Sequence, residues 1–144
     1  MTERTLFIVK PDAMAKGALG GVLAMIQKEG LTPIAGRIVR LGPADAERFY
    51  AVHQARPFFP DLVAFMSSGP VFVGVLEGEG AIGRWRELMG PTDSTKAPAG
   101  TIRGEFGTDV EKNAVHGSDA PETARAEIGF FFRGLELPGA TAVP

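Results

Sequence analysis

Cysteine is absent from all 144 residues. Its absence removes disulfides, thiolate catalysis and every zinc site that depends on sulfur. Histidine occurs only twice, which disfavours a metal site built wholly from imidazoles. Long apolar runs are missing too. The first one, Leu6–Val9, is too short for the core of a signal peptide and far too short to span a bilayer, and no other uncharged stretch reaches that length. The expectation is a cytoplasmic protein without a membrane partner. An excess of positive charge is also lacking. A net charge of -2 argues against nucleic acid as a partner, since such domains are normally basic, although it leaves room for a local basic cluster.

The remaining composition, 44% hydrophobic and 22% charged, is that of a folded globular chain and makes no case for disorder. Residues 1–144 have the length of one domain and can bury a real core. Leu6 to Val9 reads as a strand stopped by a turn at Lys10-Pro11-Asp12. Leu19, Val22, Leu23 and Ile26 fall at helical spacing, with Gly30 where a helix C-cap belongs. Ile34 to Leu41 alternates as a second strand, and Pro43–His53 and Pro60–Met66 form a helical pair. Val71 to Leu76 is the strongest strand, and Ala81 to Met89 is a helix weakened by Gly83. Gly90 to Gly107 has no periodicity, and an irregular loop of that length is more often functional than idle. Ala114 to His116 is a short strand. Asp119-Ala120-Pro121-Glu122 resembles a capping box opening a helix through Phe131, and an irregular tail follows from Gly134. The order predicts one α/β (α+β) domain of ferredoxin-like type, helices covering a small antiparallel or mixed sheet, without repeats or linkers.

The densest chemical constellation is Asn113-Ala114-Val115-His116-Gly117-Ser118-Asp119, at a strand end just before a helix. A histidine there can act as nucleophile or base beside a helix N-terminus that favours anions. Gly117 would permit a sharp turn and close approach of a substrate, while Ser118 and Asp119 supply a donor and a cap. The plainer reading makes His116 a surface residue next to an ordinary cap. Basic residues elsewhere shift the balance: Lys10 after the first strand, Arg84 and Arg86 on a helix, and Arg103 in the long loop. Arginine offers phosphate a bidentate fork and lysine a point charge, so convergence of three such groups would make a polyphosphate site.

Gly78-Glu79-Gly80-Ala81-Ile82-Gly83 competes, because it matches the dinucleotide fingerprint G-x-G-x-x-G after a strand and before a helix. No second strand ending in an acidic residue follows about 20 positions on, as that fold requires. The glycines therefore read as turn and packing residues. A P-loop is excluded because no G-x-x-x-x-G-K-[ST] occurs, and Gly17-Ala18-Leu19-Gly20-Gly21 lacks the lysine.

Asn113-x-x-His116-Gly117-Ser118-Asp119 resembles the active-site signature of nucleoside diphosphate kinases. Four further stretches match that family in the same order: Ile8–Asp12, Arg56–Pro60, Ser68–Val71 and Gly100–Gly104. The resemblance implies a ferredoxin-like sandwich and ping-pong transfer of a γ-phosphoryl group through a phosphohistidine at His116. It implies ATP and other nucleoside di- and triphosphates, deoxy forms included, as substrates. Mg²⁺ would be carried mainly by their phosphates, since no carboxylate cluster suggests a metal cage made by the protein. By the same resemblance Lys10, Arg86, Thr92, Arg103 and Asn113 hold phosphates and ribose, and Phe58 stacks on the base. Tyr50 lies near Lys10, and Ser118 with Glu127 orients the histidine. Arg84 and His53 have no matched role and read as solvated residues.

A member that had lost catalysis would serve as an oligomeric binding protein, but every matched catalytic position is filled here. The chain departs from the family between Thr92 and Gly100, where the common loop has prolines near position 94 and just before Gly100. The resemblance further implies a closed homo-oligomer. The missing proline and the short tail Leu135–Pro144 favour a dimer-based tetramer over a hexamer, which would use that loop as a contact.

Overall fold

Leu6, Phe7, Ile8 and Val9 have no exposed surface, although they are consecutive. Consecutive side chains of a strand point to opposite faces, so four buried in a row require cover on both sides. The computed structural model, which describes residues 1–139, supplies that cover. In chain order the elements are β1 (Thr2–Val9), α1 (Pro11–Ala15), α2 (Leu19–Lys28), β2 (Thr32–Val39), α3 (Pro43–Phe49), α4 (Phe59–Met66), β3 (Val71–Glu79), α5 (Ala81–Met89), α6 (Ile102–Phe106), β4 (Val115–Gly117) and α7 (Pro121–Phe131). Single 3-10 turns lie at Ala51–His53, Ser94–Lys96 and Gly134–Glu136.

Among the described residues the strands form one antiparallel sheet in the order β2-β3-β1-β4. Phe7 and Val9 point into one core with Val22 and Ile26 of α2 and Trp85 and Met89 of α5. Leu6 and Ile8 point into the other, with Ala46 of α3, Met66 of α4 and Ile128 and Phe131 of α7. This is the predicted α+β, ferredoxin-like arrangement. No helix among the described residues is long and apolar enough to cross a membrane.

Several element boundaries differ from the sequence-based expectation. β1 begins at Thr2 because its polar start pairs residue by residue with β3 out to Glu79, a long-range match that local composition does not carry. The expected turn at Lys10-Pro11-Asp12 is the start of α1, with Pro11 at the first helical position, where its missing N–H costs nothing. The second strand is displaced toward the N-terminus, ending at Val39 where its pairing with Val71 ends. The helix expected over Pro43–His53 breaks at Tyr50 into α3 and a 3-10 turn. The long loop contains α6, which Thr101 caps by accepting from the Gly104 amide.

The capping box at Asp119–Glu122 does not form. Ala120 is the N-cap in an extended conformation and makes no side-chain cap. The proline that follows disfavours helical geometry at Ala120 and so moves the helix start past Asp119. The tail from Gly134 is irregular as expected apart from one 3-10 turn, and it is tied to the sheet. Arg37 pairs with Glu136 at 2.5 Å, and Arg4 donates to the Pro138 carbonyl at 2.5 Å. The end of that tail, residues 140–144, lies outside the described residues.

The dinucleotide fingerprint is not realised, because β3 runs antiparallel to both its neighbours and no βαβ unit follows Gly78. Gly80 sits at φ 58° and turns the chain into α5. Gly74 in the sheet centre serves packing instead. A Cβ there would collide with the Phe7 ring and lie 3.0 Å from the Ala35 carbonyl oxygen. Gly74→Ala is therefore expected to destabilise the fold by about 1–3 kcal/mol, the usual cost of overpacking, read as a lower urea midpoint with unchanged slope.

Candidate active site

His116 stands in β4 opposite Ile8 of β1 and so shares the face covered by α3 and α7. Its Nε2 lies 2.9 Å from Glu127 Oε1, and Ser118 Oγ donates to the same oxygen at 2.8 Å. Two turns along α7 from its start, Glu127 reaches back to the strand that precedes the helix. A carboxylate only accepts, so Nε2 carries the proton and Nδ1 keeps its lone pair. Both side chains are mostly buried, 19% and 17% exposed, which shields the pair from water. The rings of Phe49 and Tyr50 meet the imidazole edge-on at 5.5 and 6.0 Å. Trp85 Nε1 donates to the His116 carbonyl at 3.3 Å from the opposite core. Glycine at 117 is required by that tryptophan rather than by a sharp turn: a Cβ there would lie 2.5 Å from the indole.

Just before the strand, Ala114 has φ 72°, the only non-glycine residue with positive φ among those described. A side chain in this region is strained by roughly 1–2 kcal/mol and persists only where neighbours impose it. Here the Lys10 amide donates to the Ala114 carbonyl at 2.8 Å, and the Ala114 amide donates to Asp12 Oδ2 at 3.1 Å.

Lys10 caps α1 at the end of β1 and donates from Nζ to Asn113 Oδ1 at 2.8 Å. Burial, and then repulsion by Arg103, lowers its pKa from 10.5 to about 8, although Asp12 and Glu111 act in the other direction. Arg103 of α6 donates to three carbonyls, Asn113 at 3.2 Å and Gly90 and Val115 at 2.9 Å each. A guanidinium has five N–H groups, so two remain for a ligand. Burial and then the charge of Arg86 draw its pKa down to about 10, and it stays charged at neutral pH. Lys10, Arg103 and Arg86 thus converge closely enough to repel. Among the described residues none of the three forms a salt bridge. Two buried cations and an exposed third, none of them in a salt bridge, make an electrostatic site for a polyanion.

Asn113 spends its side chain on bracing. Oδ1 accepts from Lys10, and Nδ2 donates to the carbonyls of Thr92 and Val110 at 3.1 and 3.2 Å. Through these contacts the loop expected to be loose is tied down near Thr92. Asp93 takes up part of the missing proline's role, since its carboxylate accepts from the Thr95 amide at 3.0 Å and stiffens the next turn.

Phe58, at the start of α4, is 49% exposed. A row of rings leads from it into the site: Phe58 to His53 at 5.6 Å, His53 to Tyr50 at 6.5 Å, and Tyr50 to His116 at 6.0 Å. His53 is therefore half-buried within this row of rings and is not the isolated surface residue expected. The Tyr50 hydroxyl is buried and has no hydrogen-bond partner among the described residues. Burial, then the charge of Glu127, raises its pKa, so it remains a neutral donor.

Sequence reading did not single out Asp12, Phe49, Trp85 or Ala114. Only Asp12 carried a signal, its place beside Lys10 in the first matched stretch. The other three act through tertiary contact alone.

Comparison with known proteins identifies the family. The nucleoside diphosphate kinase family pattern matches residues 3–137. The nucleoside diphosphate kinase of Bordetella petrii is 62% identical over 135 residues, covering 94% of this chain and 96% of that protein. That of Leptothrix cholodnii is 60% identical over the same shares. Among solved structures, the Aquifex aeolicus nucleoside diphosphate kinase superposes with a TM-score of 0.93 at 56% identity, covering 95% of this chain and 99% of that one. A halophilic nucleoside diphosphate kinase from Halobacterium salinarum, solved in complex with CDP, gives 0.91 at 40% identity over 99% and 97%. With nearly the whole length matched in both sequence and structure, this chain belongs to the nucleoside diphosphate kinase family.

Proposed function

We propose that this kinase works in two half-reactions through Nδ1 of His116. The observation that carries the reading is the Glu127 bond to Nε2, which leaves the lone pair on Nδ1. That lone pair attacks the γ-phosphorus of a nucleoside triphosphate. An N–P bond forms, the bond from phosphorus to the β–γ bridging oxygen breaks, and the diphosphate departs with the electron pair. A second nucleoside diphosphate, ribo or deoxy, then attacks the same phosphorus and frees the imidazole. Nε2 keeps its proton throughout, so neither step needs a separate acid or base. The positive charge that develops on the ring is stabilised by Glu127, itself held by Ser118.

Phosphoryl transfer asks the protein mainly for positioning and charge. Lys10, Arg86 and Arg103 hold the phosphates, and Tyr50, neutral and buried, walls the histidine side of the site. Asn113 and Thr92 complete the phosphate and ribose side, Asn113 acting partly by holding the Lys10 ammonium. Phe58 stacks on the base without reading its edge, a role consistent with the pyrimidine nucleotide bound by the Halobacterium relative. Among the described residues no three His, Asp or Glu side chains form a metal cluster. Mg²⁺ fits this donor set as part of the nucleotide, neutralising phosphate charge. The unit of function is a closed homo-oligomer, a dimer-based tetramer, because the loop without the proline near position 94 is a poorer subunit contact.

Incubation with a γ-labelled triphosphate and Mg²⁺ should label His116 with an acid-labile, alkali-stable phosphoryl group. Purine and pyrimidine donors should both serve, and chelating Mg²⁺ should stop the reaction. Label persisting in His116→Ala would sink the assignment.

Lys10 binds phosphate as the ammonium, which is lost as pH rises through about 8 rather than 10.5. The rate of phosphorylation at low nucleotide concentration should therefore fall above about pH 8. Saturating nucleotide should move that limb upward, because bound phosphate favours the ammonium. An alkaline limb at the ordinary lysine value would contradict the buried Lys10.

Light scattering at micromolar concentration should give the mass of four chains. A hexameric mass refutes the tetramer.

A further inference from the structure

Asp12 is unaccounted for by the reaction as described. It is the second residue of a five-residue helix, where an acidic side chain ordinarily does no more than complement the helix end. Its carboxylate is engaged otherwise. Oδ2 accepts from the amide of Ala114, 102 positions away in sequence, and Oδ1 is buried with no partner among the described residues. Ala114 is the residue at φ 72°, and Val115 and His116 follow it directly into β4. Lys10, two positions before Asp12, closes the other side of the same turn by donating its amide to the Ala114 carbonyl at 2.8 Å.

We propose that Asp12 is a positioning residue for phosphoryl transfer, pinning the left-handed Ala114 turn that sets His116 beside the phosphate site and supplying the negative charge opposite the Lys10 ammonium. The proposal rests on His116 being the nucleophile. Two separate features carry it. The first is geometric: no glycine relieves the turn, so a hydrogen bond on each side holds it, one from Lys10 and one to Asp12. Loss of the second leaves the Ala114 amide buried and unpaired, and the turn can relax toward ordinary φ, carrying His116 with it. The second is electrostatic. The groups acting on Lys10 are Arg103, which disfavours its charge, and Asp12 and Glu111, which favour it. Of the two carboxylates, Asp12 is the one fixed in place by a main-chain bond from the nucleophile's own segment. One side chain thereby couples the position of the nucleophile to the charge of the phosphate-binding lysine.

Two variants separate these contributions. In Asp12→Asn the side-chain oxygen still accepts from Ala114, but the charge is gone. In Asp12→Ala both are lost. Single-turnover phosphorylation of the full chain by γ-labelled ATP and Mg²⁺ is followed across the neutral and alkaline range. Asp12→Asn should reach a near-normal rate on the acid side of its limb, with that limb displaced to lower pH because Lys10 loses its proton sooner. Asp12→Ala should show the same displacement and a further loss on the order of 10²-fold at every pH, the scale of a misplaced reacting group. A limb in Asp12→Asn that coincides with wild type overturns the proposal even if Asp12→Ala fails to fold, and so does a wild-type rate in folded Asp12→Ala. Wild-type label on a residue other than His116 overturns the underlying reading. Label on His116 with an unmoved limb in Asp12→Asn overturns the present inference alone.

Discussion

The pairing of β1 with β3 on one edge and β4 on the other organises both the core and the site. β1 is buried on both faces, so each of its residues from Leu6 to Val9 is committed to one of two cores and the register cannot slip. Lys10 follows its last residue, Val9, and its short edge partner β4 carries His116 opposite Ile8. His116 and Lys10 thus hang from adjacent strands of one sheet. Only three residues of β4 pair, and such a brief strand needs additional restraint. Trp85 on one side and Glu127 on the other provide it, by bonds to the His116 carbonyl and ring.

Arg103 fixes the remaining geometry by bonds to the carbonyls of Gly90, Asn113 and Val115, which tie the start of the long loop to the segment entering β4. It does so while carrying a charge close to two others. Burial of these charges, and then their mutual repulsion, opposes folding. The pKa of Lys10 lies below its ordinary value, so the folded state binds that proton less tightly than the unfolded chain does. The resulting penalty is fully present below about pH 8 and disappears as pH rises toward 10.5. At neutral pH the protein retains this cost, which a polyanion bound at these cations would relieve. Nucleotide binding should therefore couple to stability.

Much of the fold was legible in the chain because its signals are local. The apolar run at Leu6, the helical spacing of Leu19, Val22, Leu23 and Ile26, and the strand Val71–Leu76 each report their own conformation. Gly30, at φ 82°, ends α2 as its position implied. The candidate site was legible for a different reason: its chemistry requires particular residue types at short spacing. His116 and Ser118 lie two residues apart, and Glu127 follows on the next helix.

What sequence alone determined was the inventory: which residues can carry phosphate, which histidine has suitable neighbours, and which chemistries lack their atoms. Tertiary structure decided the assignments that depend on distance. It placed His53 in the ring row between Phe58 and Tyr50 and made Gly117 a packing residue for Trp85. It also moved the helix start past Asp119 and gave Asp12 a partner 102 positions away. Those contacts join residues far apart in the chain, and no local pattern encodes a distance that exists only after the sheet has closed.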